Sequence, residues 1–330
     1  MFSTFIHKTK LVFTDPELRN RILFVFGILV LFRMLASIPI PGVDTFQLQQ
    51  FFANNQFLGL LDIFSGGGLS NLSIVMLGVG PYITASIIMQ LSTVLSPKIK
   101  ALYAEEGEIG RKKFNMYSRL LTLPLALLQA FGFLALLTRQ GIVSQADMIT
   151  LIVNVTIIAA GSLLLMWLGE LITEFGIGNG VSLLIFAGIV ASLPTIVSQL
   201  LFSFDISQIP LYLGFSIAVV LITYAVVYIT EAERPIPITY AKQSRGSGQL
   251  NGGISTYLPL RLNQSGVIPI IFALSILLFP QMMFNFLQSF GNPTLNAVGT
   301  AVTNFLANGW VYAGIYFVLV FFFTFFYTAV

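Results

Sequence analysis

The chain has 330 residues, of which 56% are hydrophobic and 9% charged, with a formal net charge of +3. Soluble domains carry about 25% charged residues, so this composition marks a multispanning membrane protein. Its long continuous apolar runs mark a helical one rather than a β-barrel with alternating segments of ~10 residues. Cysteine is absent and His7 is the only histidine, which excludes disulfides, thiol nucleophiles, thiolate metal sites and a histidine-pair relay.

Asp15-Pro16-Glu17 reads as a helix start, with Asp as cap and Pro in the first turn. The first span is expected over Ile22–Ile38, stopped by Pro39-Ile40-Pro41-Gly42. It is too long for a signal-peptide core, and Ser37-Ile38-Pro39 is a poor cleavage site. Arg33 lies inside it, where an arginine snorkels to an interface, pairs with neighbouring backbone or serves as a functional charge.

The stretch Gly59–Leu95 organises the rest. A short apolar segment, Phe57–Phe64, leads through Gly66-Gly67-Gly68 into an apolar run from Ile74 to Leu95, long enough to cross ~30 Å of hydrocarbon. That run is interrupted at Gly78-Val79-Gly80-Pro81. Non-helical backbone at membrane depth must lie in protein or in a water-filled cavity. Two readings stand: a re-entrant turn before an ordinary kinked span, or a movable segment lining a cavity.

Further spans are expected near Leu120–Leu137, Ile149–Gly169, Val181–Leu201, Leu211–Thr230, Val267–Phe286 and Trp310–Val330, which makes eight. With a cytoplasmic N-terminus, fourteen Lys and Arg fall in inner loops and only Arg139 in an outer one. This is a positive-inside asymmetry that one missed helix would scramble. The longest inner loop, Glu231–Gly266, holds two alternating runs around glycine-rich turns and reads as a β-hairpin. It is either a solvated loop or, with Arg234, Lys242, Arg245 and Arg261, a docking surface for a protein partner. The last span reaches Val330 without a flanking charge, so the chain is expected to be truncated.

Apart from Arg33, the expected spans hold no charge away from their ends. Glu170/Glu174 and Glu231/Glu233 lie at span ends, where solvated capping is commoner than acid–base work. Gly176-Ile177-Gly178-Asn179-Gly180 lacks the context of a phosphate loop and reads as a tight turn between two spans. An ion-coupled transporter is the alternative reading, but such proteins usually need an intramembrane carboxylate or an equivalent polar site. What remains is a passive pathway with apolar walls and a gate that closes by dewetting.

The motifs Ile38–Gly42, Phe64–Gly67, Gly80–Ile88, Glu106–Lys112, Ile172–Gly180, Ile185–Val190 and Gly266–Pro269 resemble, in order and over essentially the whole chain, those of the bacterial SecY family. The resemblance implies an all-α polytopic helical membrane protein, a protein-conducting channel of pseudo-symmetric halves and not an enzyme, truncated after eight of ten spans. The halves would be residues 1–205, with spans 1–5 and a plug half-helix, and residues 206–330, with spans 6–8 and the cytoplasmic hairpin 231–266. Phe64, Ser65, Gly66 and Gly67 would belong to the plug. Val79, Ile83, Ile185, Ile189 and Ile271 would form an aliphatic pore ring, and the four-residue spacing within the first two pairs independently puts each pair on one helix face. Thr84 and Phe279 would face each other across a lateral gate, with a hinge near Leu201–Pro210. The implied partners are SecE, SecG, the SecA motor, the ribosome and unfolded polypeptides, with no cofactor, in the bacterial cytoplasmic membrane. The family usually has two arginines where this chain has Arg234-Pro235, and more basic residues at Gly246–Gln249.

Overall fold

The computed structural model describes residues 14–41, 62, 65, 67–69, 71–139, 141, 148–202, 205, 208–239, 255–263, 265–266, 268–277, 297–302, 305 and 308–329. The chain divides into two compact units, one of Met1–Ser198 with Leu274–Tyr316, the other of Gln199–Ala273 with Phe317–Val330.

In the first unit, α1 (Pro16–Ala36) begins as its sequence dictates. The Asp15 carboxylate accepts from the Glu17 amide at 3.0 Å, Pro16 opens the first turn, and Arg21 pairs with Glu17 at 2.8 Å. Ile28, Phe32 and Ala36 repeat every four residues and form its buried face, which packs on α5. Arg33, one residue round, is exposed in the last turn.

After α1 the structure departs from the simple count of spans. The apolar run from Ile74 does not enter a helix until Gly80: α2 is Gly80–Leu95, 16 residues and about 24 Å long at 1.5 Å per residue. Pro81 starts this helix rather than kinking it, because a proline lacking an N–H suits the first turn. Gly78 at φ 57° and Leu72 at φ 41° hold the preceding backbone in turns. Short α3 (Pro97–Ala104) folds back onto α4 (Gly107–Arg139) with Tyr103 against Phe114, ring centres 5.0 Å apart. α5 (Met148–Phe175) and α6 (Gly180–Phe202) follow.

The turn between α5 and α6 is tight, in line with the Ile172–Gly180 motif. The Thr173 hydroxyl donates to Gly169 O at 2.9 Å and accepts from the Gly180 amide at 2.9 Å, while Asn179 caps α6 through the Ser182 amide. Gly178 takes φ 73°, and a Cβ on Gly180 would meet the Gly169 carbonyl.

In the second unit, α7 (Ile209–Glu231) leads into β1 (Glu233–Thr239), which pairs antiparallel with β2 (Ser255–Arg261) as a two-stranded ribbon. Of α8 (Ile268–Leu277) the part up to Ala273 belongs to this unit, and of α9 (Gly309–Ala329), which ends the described chain, the part from Phe317. Phe272 of α8 meets Phe323 and Tyr327 of α9 edge-on. Among the described residues, five helices are long and apolar enough to cross a membrane: α4, α5, α6, α7 and α9. α1 has the length of a span but more charge, and α2 and α8 are shorter as described.

Candidate functional site

The candidate site grows from the run between Ser65 and Ile83. Its first part is tied by local hydrogen bonds: the Ser65 hydroxyl donates to Asp62 O at 3.0 Å and accepts from the Leu69 amide at 3.0 Å, and the Gly67 amide donates to Asp62 O at 2.9 Å. The next part is sewn to the end of α1. Pro39 and Ser73 form an isolated bridge, flanked by Ile40 N–H to Leu72 O at 2.8 Å and Ile74 N–H to Ile38 O at 3.0 Å. Its side chains supply the core. Leu69, Leu72, Met76 and Leu77 pack with Ala130, Phe133, Leu134 and Leu137 of α4 and with Val155 and Ile158 of α5. An apolar, non-helical run at the heart of a bundle of spanning helices is tolerated because protein covers it and its backbone groups find partners there.

Of the expected plug residues, Ser65 is buried and hydrogen-bonded and Gly67 sits at φ 76°, while Phe64 and Gly66 lie outside the described residues. Of the expected ring, Val79 and Ile83 straddle the start of α2, joined by an Ile83 N–H to Val79 O bond of 3.1 Å. Ile185 and Ile189 lie one turn apart on α6, and they are not equivalent: Ile185 is 8% exposed and Ile189 38%. Ile271 is a partly buried residue of α8 in the second unit. For the expected gate, Thr84 is buried, with its hydroxyl donating to Gly80 O at 3.0 Å within its own helix. Phe279 lies outside the described residues.

The expected docking residues split in a way that only the register reveals. Glu233 stands opposite Arg261, and Arg234 opposite Leu260. Residues directly opposite share a face and neighbours along a strand alternate, so Arg234 and Arg261 point to opposite sides of the ribbon. Arg234 shares its face with Ile236, Ile238, Leu258 and Leu260. Arg261 shares the other with Glu233, whose carboxylate is 3.8 Å away. Lys242 and Arg245 lie outside the described residues.

Sequence reasoning missed one feature. Glu170, read as a solvated helix-end carboxylate, pairs with Arg119 of α4 at 2.5 Å. It ties two spans together, and its partner is 51 residues away in the chain, beyond the reach of any local pattern. Among the described residues no group of three or more His, Cys, Asp or Glu could hold a metal.

Comparison with known proteins agrees with this architecture. The SecY family model matches residues 73–330. The protein translocase subunit SecY of Mycobacterium bovis is 40% identical over 349 residues, covering 100% of this chain and 77% of the relative. That of Aquifex aeolicus is 40% identical over 331 residues, covering 97% and 76%. Among solved structures, a protein-conducting channel superposes with a TM-score of 0.57 at 21% identity, covering 82% of this chain and 59% of its own. Sec61 in the canine ribosome–channel complex from the endoplasmic reticulum gives 0.55 at 21%, again covering 82% and 59%. A SecY channel whose plug domain stabilises the closed state gives 0.56. The chain thus spans just under three fifths of the solved channels' length. The fold is that of an all-α polytopic membrane channel, and the chain belongs to the SecY family of protein translocase subunits.

Proposed function

We propose that the chain is the channel-forming subunit through which unfolded polypeptides cross the bacterial cytoplasmic membrane, and from which signal and transmembrane segments leave sideways into lipid. The observation that carries this reading is the run from Ser65 to Val79 in a member of this family. The run is uncharged, its described part from residue 71 to residue 79 is non-helical, and it is packed at the core of the bundle immediately before the short helix α2. Such a run serves as the root of a plug to which Phe64, Ser65, Gly66 and Gly67 belong, with residues 72–79 packed in the core.

Val79, Ile83, Ile185, Ile189 and Ile271 form the ring in this reading. An aliphatic constriction closes by dewetting and grips no particular side chain, so it fits around varied sequences while excluding ions at rest. Residues 1–205 and 206–330 act as the two halves, parting between Thr84 and Phe279 when an apolar signal helix binds the open state better than the closed one. The N-terminus and the hairpin 231–266 are cytoplasmic, where the hairpin meets the SecA motor or the ribosome. SecE and SecG complete the channel. The chain carries out no chemistry of its own, and a motor or ribosome supplies the work.

The reading is tested by reconstituting the assembled complex into liposomes with a motor and ATP, then measuring protease protection of a secretory precursor. Protection that needs both this chain and a signal sequence is expected. Uptake of a small solute with no protected polypeptide overturns the reading in favour of a transporter.

A further inference from the structure

We propose that Gly161, in the middle of α5, is the positioning residue that fixes segment 73–79 and thereby holds the resting seal in place. The sealing half of this statement rests on the channel reading above, whereas the fixing half rests on geometry alone. Helix α5 presents Asn154, Ile158, Gly161, Ser162 and Leu165 as one buried face. At Gly161 that face touches backbone rather than side chain. A Cβ placed there would fall on the Ile74 carbonyl oxygen, 2.9 Å from its carbon and 3.3 Å from Val75 Cγ1.

The Ile74 carbonyl has little freedom to withdraw. The same residue's amide is bound to Ile38 O at 3.0 Å, the Pro39–Ser73 bridge adjoins it, and Leu72, Val75 and Met76 around it are fully buried. The segment is therefore clamped between the end of α1 on one side and the bare backbone of α5 on the other. Small residues serve this purpose in membrane helices, where close backbone approach replaces the hydrophobic drive available in water.

Gly110 of α4 and Gly180 of α6 also abut backbone, at Leu102 and Gly169, but Gly161 is the one of the three that meets segment 73–79. Gly27 of α1 has nothing within 4 Å of a built Cβ, and Gly169 of α5 itself would crowd only Val181 and Leu184 of α6. The hydroxyls beside the contact, Ser73 Oγ and Ser162 Oγ, are buried without a protein hydrogen-bond partner among the described residues. Polar ties do not reinforce the seam at these positions, so its closeness depends on packing and on the missing side chain at 161. Nothing in the local sequence asks for glycine there, since alanine is the better helix former.

The test uses the assembled complex in liposomes and exploits the absence of cysteine. A single Ser73→Cys reports the seam, because residue 73 is fully buried at rest. Adding Gly161→Ala should raise its maleimide-labelling rate at least tenfold and produce a resting ion conductance. Gly169→Ala and Gly27→Ala should change neither. Where Gly161→Ala reduces the yield of folded complex, Val75→Ala loosens the same contact without a clash, and a severalfold faster labelling is expected of it.

Unchanged labelling in well-folded Gly161→Ala and Val75→Ala variants overturns the proposal and leaves the channel reading intact. Faster labelling with no conductance overturns the sealing role and counts against the segment's place in a plug, not against the seam. Faster labelling in Gly169→Ala as well would reduce the effect to general loosening of α5 and also overturn it.

Discussion

Ile185 and Ile189 occupy the same face of α6 one turn apart, yet their surroundings separate two effects that a double substitution would merge. Ile185 is 8% exposed, so Ile185→Asn forfeits nearly a whole buried side chain, about 1.5–3 kcal/mol. It also leaves an amide whose unpaired groups cost about 1–3 kcal/mol. Together these reach a substantial part of the 5–15 kcal/mol that typically holds a protein folded. Ile189 is 38% exposed, so Ile189→Asn loses only part of that burial, about 1 kcal/mol, and in the proposed ring its amide would meet the water of the pore. Ile189→Asn should therefore fold almost normally and, by hydrating the constriction, leak ions through the resting complex. Ile185→Asn should leak less per folded molecule than it loses in yield. Planar-bilayer current and thermal unfolding on one preparation measure both. A well-folded Ile189→Asn complex that does not conduct would remove α6 from the pore and refute the reasoning.

The Arg119–Glu170 pair joins α4 to α5 with side chains 49% and 23% exposed, so its net worth is modest, about 1 kcal/mol. Glu170→Gln should lower the unfolding midpoint by a few degrees, and Arg119→Leu with Glu170→Leu should recover most of it, because the paired change leaves no lone charge. On the hairpin, Arg234→Glu should weaken motor or ribosome association more at low salt than at high, since exposed charges are screened over ~10 Å at 0.1 M. Arg261→Glu, on the opposite face beside Glu233, should do so less, and equal effects would show that the partner wraps the ribbon. Cysteines at Thr84 and Phe279 should form a disulfide and block signal-bearing chains, which requires Cα atoms within about 7 Å. Undiminished transport through the cross-linked complex would place the exit elsewhere.

The spans were legible in the sequence because membrane helices need nothing subtler than length and apolarity, and α4 to α7 lie where those runs predict them. The hairpin was legible because Ile236, Ile238, Leu258 and Leu260 alternate around glycine-rich turns. The six residues from Ile74 to Val79 were not. They are as apolar as a span, and hydropathy cannot tell a helix in lipid from a turn buried in protein; only Gly78 and Pro81 hinted at the boundary. The Arg119–Glu170 pair and the opposed faces of Arg234 and Arg261 depend on tertiary contact and strand register, which no window along the chain contains. Gly161 was hidden for the same reason, as its meaning lies in Ile74, 87 residues earlier.

The claim that polypeptides pass along the aliphatic ring is tested most directly by photo-cross-linking. A photoreactive residue is placed at Ile83 or Ile189, with Leu213, an exposed residue of α7 outside the proposed ring, as control. A secretory precursor is then stalled in transit through the assembled complex. The account predicts adducts to the stalled chain from Ile83 and Ile189, dependent on motor and signal sequence, and none from Leu213. Adducts from Leu213 alone, or none from either ring position while the precursor is protease-protected, would contradict it.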